Sequence, residues 1–164
     1  MSGVITASFD TREAAEKALH KLENAGVTES QVSIIISDDT HGTHFTVDRE
    51  SKSDEGIVAG GLAGGLVGAV LASILSAGAL AVPAAGIVIS GWLVSAAAGM
   101  GAGMAAGGVI GGLIGAGIPE DEAKVYEDAV KSGAILMAVR PESDEQSATV
   151  KSALSATDAH NIAA

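Results

Sequence analysis

The residues able to do chemistry gather in two short stretches. Asp38, Asp39, His41, His44 and Asp48 lie in one polar segment. His41 and His44, three apart, have the ligand types and spacing to share a divalent metal with a nearby carboxylate. A solvated loop accounts for the same composition more simply, so no metal ligand is assigned. Glu120, Asp121 and Glu122 form the second stretch and could serve as general acids or bases. They follow Pro119, where a helix start favours carboxylates through its dipole, so no catalytic residue is assigned there. His20 and His160 stand alone and read as surface positions. Tyr126 shares an apolar face with Ala123 and Val130, which predicts a core ring with its hydroxyl outside.

Several chemistries are excluded outright. The chain has no cysteine, hence no disulfide, thiolate metal site or cysteine nucleophile. Its glycine-rich run contains matches to dinucleotide-type spacing, which such a composition makes inevitable. It lacks the Gly-Lys-Ser/Thr of a phosphate loop and a well-placed acid after a strand. No cofactor is expected. The net charge of −11 opposes a nucleic-acid partner, because a phosphate backbone calls for a basic surface. The opening MSGVITASFDTREAAE has neither a basic start nor a continuous apolar run, so no cleaved leader is expected.

The elements around these residues fall into an outer, polar part and an inner, uncharged one. Residues 57–118 form 62 consecutive positions without Asp, Glu, Lys, Arg, His, Asn or Gln, and they hold 17 of the 22 glycines. All 29 charged residues lie outside this block. In the outer part, VITASFD (4–10) and QVSIIIS (31–37) read as strands. Asp10 and Glu13 suggest a capping box opening a helix over about 11–25, closed by Gly26. A short strand is expected at 43–47. After the block, Pro119 and Gly133 bracket a helix, AILMAVR (134–140) is a third strand, Ser143 opens a last helix, and 160–164 reads as a final strand. The expected fold is therefore α+β. It is a ferredoxin-like α/β sandwich interrupted between its second and third core strands by a glycine-zipper helical hairpin. The divisions are 1–56, 57–118 and 119–164.

Within the block, helices are expected over about 56–80 and 89–116, broken at Ala81, Val82 and Pro83. At 1.5 Å per residue each would be roughly 35–42 Å long, enough to cross a bilayer core of about 30 Å. Small residues recur every fourth position. Gly60, Gly64 and Gly68 mark a ridge on the first helix. Gly91, Ser95, Gly99, Gly103, Gly107, Gly111 and Gly115 mark one on the second. Bulky residues such as Leu66, Val70 and Ile74 occupy the opposite side of the first helix, to face lipid or another apolar layer. A bare ridge lets a neighbouring backbone approach closely. Gly60, Gly64, Gly68, Gly99, Gly103, Gly107, Gly111 and Gly115 are therefore the candidate helix-packing positions. Met100 and Met104 read as gap-fillers, and Trp92 as an interfacial residue. The second helix is small nearly all round, which calls for several partners and so a homo-oligomer.

SFDTREAAEKALHKLENAGV, QVSIII, the glycine-rich hairpin with its central proline, and GAGIPEDEAKVYEDAVKSGAILMAVR together resemble the general stress protein, or heat-induced stress protein YflT-like, family. The most specific part runs from Gly117 to Gly133. The resemblance spans essentially the whole chain and implies a bacterial, stress-linked, membrane-associated protein; it supplies no catalytic motif. Residues and resemblance together point to a non-enzymatic protein that self-associates through glycine-zipper helices in or on the cytoplasmic membrane, with membrane lipid as a partner and the polar domain in the cytoplasm. The alternatives are a soluble cytoplasmic homo-oligomer with the hairpins buried inside, and a binding module for lipid or quinone.

Overall fold

Two strands of the outer part, Val32–Ser37 and Ile135–Val139, have apolar residues on both sides of the pleat, which demands cover on both faces of a sheet. The computed structural model describes residues 3–40, 65–75, 79–82, 86–99, 110–111, 113–115 and 117–163, and supplies that cover. In chain order the elements are β1 (Ile5–Phe9), α1 (Arg12–Asn24), β2 (Val32–Ser37), α2 (Gly65–Leu75), β3 (Leu80–Val82), β4 (Ile87–Gly91), α3 (Trp92–Gly99), α4 (Glu120–Lys131), β5 (Ile135–Val139), α5 (Asp144–Ser155) and β6 (His160–Ala163). The fold is α+β. Six strands form one sheet in the order β3-β4-β2-β5-β1-β6, and every neighbouring pair is antiparallel.

Two apolar clusters sit on opposite faces of this sheet. On the first face Ile5, Ala7, Phe9, Ile34, Ile36, Met137 and Val139 pack with α1, α2 and α5 through Leu19, Leu22, Val70, Ile74, Val150 and Leu154. On the second, Ile35, Ile87, Ile89, Leu136 and Ala138 meet Leu93, Leu113, Ile118, Ala123, Tyr126 and Val130. The strict period of two along β2 and β5 divides one apolar run between two cores.

Helix boundaries follow their local chemistry. The N-cap of α1 is Thr11, whose hydroxyl accepts from the Ala14 amide at 3.2 Å; the expected Asp10 lies one residue outside. Ser143 caps α5 as its position predicts, accepting from the Gln146 amide at 3.1 Å. Gly26, at φ +79°, closes α1 with Val27 N–H donating to the Leu22 carbonyl. Gly117 and Gly133 close their helices in the same way, with Ile118 bonded to Leu113 and Ala134 to Ala129.

Within the uncharged block the structure departs from the expected hairpin. A helix was anticipated up to residue 80 and another from 89. Instead β3 and β4 lie between α2 and α3, and β4 enters the sheet beside β2, pairing from Ser33↔Gly91 to Ser37↔Ile87. The run Ile87-Val88-Ile89 is β-branched throughout and buried on both faces, a state in which strand and buried helix look alike by periodicity. Gly86 at φ +64° brings the chain into β4. The described part of residues 57–118 is thus joined to the outer part: its strands β3 and β4 belong to the common sheet, and α2 and α3 pack on its two faces.

The bulky stripe of the first block helix meets an apolar layer, and that layer belongs to the protein itself. Leu66, Val67, Val70 and Ile74 are all buried, with α2 lying against α1 and β4. No helix among the described residues is long and apolar enough to cross a membrane.

Candidate functional site

Asp38 and Asp39 are helical directly after β2 and are exposed, whereas His41, His44 and Asp48 lie outside the described residues, as does the strand expected at 43–47. Among the described residues no group of three His, Asp or Glu side chains converges as a metal site would require. Glu120 is paired with Lys124 at 2.8 Å along α4; that hydrogen bond and charge hold its carboxyl below the usual range and raise the Lys124 amine. His20 and His160 are at the surface. His160 Nε2 is 3.3 Å from Asp10 Oδ2, a link from β6 to the end of β1.

A polar cleft of about 370 Å³ lies at the β1–α1 corner. Asp10, Thr11, Arg12 and Glu13 line one side; Thr40 and Gly133 line the other. Thr40 is held rigidly: Ser37 Oγ donates to its hydroxyl at 2.7 Å, and that hydroxyl donates to the Gly133 carbonyl at 3.2 Å. Arg12 Nε donates to Glu16 at 2.7 Å, so its charge is directed along α1. The cleft offers hydrogen-bonding carboxylates and hydroxyls, and among the described residues no histidine lines it.

Tyr126 differs from its expected placement. Its ring is in the core beside Ala123 and Val130, but its hydroxyl is internal too, leaving the residue 1 % exposed. Thr6 Oγ1 donates to it at 2.7 Å, and it donates to the Asn161 carbonyl at 2.5 Å. Burial pushes this hydroxyl above the usual tyrosine range, opposed by the Thr6 hydrogen bond and reinforced by the charge of Glu122. Thr6 and Ser8 alternate with apolar residues along β1 and so place hydroxyls on one of its faces, but nothing local in the sequence pairs Thr6 with Tyr126.

The glycine positions divide. Gly60, Gly64, Gly103 and Gly107 lie outside the described residues, as do Met100 and Met104. Gly68 is buried in α2, while Ala72, one turn later on the same ridge, is exposed. Gly99 ends α3. Gly111 is half-buried and Gly115 exposed, next to Ile114, which is 42 % exposed; Leu113 on the same turn is fully buried. Gly91 is not on a helix ridge. It ends β4 at φ +81°, and a Cβ there would collide with the Val32 carbonyl oxygen and reach 2.7 Å from Ser33 Oγ. Trp92 opens α3 and packs half-buried on the second-face cluster, with the Arg140 guanidinium 4.9 Å from its ring centre.

Comparison of the chain with protein-family models, curated proteins and solved structures yields no match.

Proposed function

We propose that this chain is a non-enzymatic protein whose uncharged block mediates self-association. The observation that carries the reading is the turn at 113–115. Leu113 points into the core, whereas Ile114 and Gly115 face outward from a chain that carries a net charge of −11. An uncharged, small-residue surface is where two acidic copies can meet without opposing their charges, and where backbones can come close. The residues with chemical potential are meanwhile engaged in structural contacts: Arg12 with Glu16, Glu120 with Lys124, Tyr126 with Thr6 and Asn161.

Within this reading β1, α1, β2, β5, α5 and β6 are a ferredoxin-like core, supported by the central order β2-β5-β1-β6 with its two interleaved βαβ units. The block then extends that core by two strands and a second helical layer. Membership of the heat-induced stress protein type, in a bacterial cytoplasm, rests on the resemblance of Gly117 to Gly133 and its surroundings. Burial of Leu66, Val70 and Ile74 within the domain favours an assembly that is soluble without detergent. Attachment to the cytoplasmic membrane is the second reading, favoured by the 62 uncharged positions.

Mass measurement by light scattering after detergent-free fractionation tests both. Self-association predicts a multimer for the wild-type chain and a smaller species for Gly103→Leu and Gly107→Leu, with far-UV circular dichroism unchanged. A wild-type monomer defeats the proposal. Recovery only in the pellet, released by detergent, favours the membrane reading.

A further inference from the structure

The chain has 20 acidic residues against nine basic ones, so a cation on its surface has carboxylates to choose from. Arg12, Lys124 and Lys131 each take a glutamate of their own helix. Arg140 takes none. It follows β5, is exposed, and forms no ion pair among the described residues. Its guanidinium lies instead over the indole of Trp92, 4.9 Å from the ring centre.

The indole lacks a partner as well. Trp92 Nε1 is buried, and among the described residues no acceptor reaches it. Buried donors are nearly always satisfied, so an exception calls for a missing group. Arginine and tryptophan side chains only donate, and neither can satisfy the other. Two donors without an acceptor therefore stand side by side.

The backbone beneath the pair is fixed. The Arg140 amide donates to the Gln31 carbonyl at 2.8 Å, and Gln31 Nε2 donates to the Arg140 carbonyl at 3.3 Å. Trp92 follows Gly91, which pairs with Ser33, while Val139 before Arg140 pairs with Val32. The two side chains thus meet across the start of β2. Stacking turns the face of a guanidinium to the ring and leaves the N–H fork at its edge free. That fork matches two oxygens of a carboxylate or phosphate.

We propose that Arg140 and Trp92 form a binding site for an oxyanion, a carboxylate or phosphate group held by the guanidinium fork and by a hydrogen bond from Trp92 Nε1. Arg140 is the exposed member and meets the anion first. An oxyanion has separate oxygens for the fork and for the indole, whereas chloride is a single sphere. The proposal is independent of the self-association reading.

Trp92 is the only tryptophan, so its indole N–H gives a single resonance in a nitrogen–proton correlation spectrum of the full chain. Sodium phosphate and sodium acetate are titrated separately at about 150 mM ionic strength, with sodium chloride making up the balance, so that the field of the acidic chain is screened equally throughout. The indole proton should move downfield and saturate with at least one of them. Arg140→Gln should abolish the saturation, and Arg140→Lys, which keeps the charge and loses the fork, should weaken binding about tenfold. Tighter binding of phosphate assigns the site to phosphate groups; tighter binding of acetate assigns it to carboxylates. An indole resonance that ignores both salts, or that moves as far in sodium chloride alone, overturns the site. Saturation that survives in Arg140→Gln overturns it too.

Discussion

Tyr126 shows how much one buried hydroxyl fixes. It sits on α4, accepts a hydrogen bond from Thr6 of β1 and donates one to the backbone of the last strand. Asn161, whose carbonyl it binds, has φ +51°, and its side-chain amide reaches Ser8 Oγ at 3.3 Å. Tyr126→Phe would leave the Thr6 hydroxyl and the Asn161 carbonyl without this partner, at about 1–3 kcal/mol by urea denaturation near neutral pH. The wild-type protein should also show an alkaline signature. Its tyrosine pKa is raised on folding, so the native state holds the proton more tightly than the unfolded one. That contribution is complete below the ordinary value of about 10 and is lost as pH rises through the higher native value. Denaturation midpoints from pH 8 to 11 should fall for the wild type and lose this component in Tyr126→Phe. Parallel curves would show that the residue does not titrate as described. The ring's place was legible from its spacing with Ala123 and Val130. The hydroxyl's was not, because its two partners lie 120 and 35 residues away.

At the scale of elements, α2 decides how the uncharged block is understood. Its composition suits a helix pressed against another helix or against lipid, yet its bulky side rests on α1 and β4. Ile74→Ala should therefore cost about 2–5 kcal/mol of domain stability, as for a filled core site. Ala72→Ser, on the exposed side of the same helix, should stay within about 0.5 kcal/mol. Equal, small effects in a urea titration would mean that α2 does not belong to the core. The outer elements were readable with boundaries within one or two residues, since caps, glycines and β-branched runs act locally. β3 and β4 were not. Ile87-Val88-Ile89 is apolar on every side, and only the open edge of β2 selects the strand.

For the whole molecule, charge and apolar surface oppose one another. Each chain carries −11, all of its charges lie outside 57–118, and the block shows part of its uncharged surface at Ser95, Ile114 and Gly115. The proposed association through that surface would bring two acidic domains close, with a repulsion that salt screens. Raising sodium chloride from about 20 mM to about 500 mM should increase the multimer fraction seen by light scattering. A multimer that dissolves with salt would point to ion pairs at the contact and away from the uncharged block.

The sequence by itself determined the secondary structure of the described polar elements, the α+β class and the existence of a long uncharged block, because local propensity, capping and composition act over a few residues. Tertiary structure alone decided where that block goes. A sheet with two apolar faces and an open strand edge drew part of it into the common core, supplied its helix caps from Glu23 and Ser33, and gave two of its glycines the task of admitting those caps. Such choices depend on surfaces that exist only once distant strands have paired.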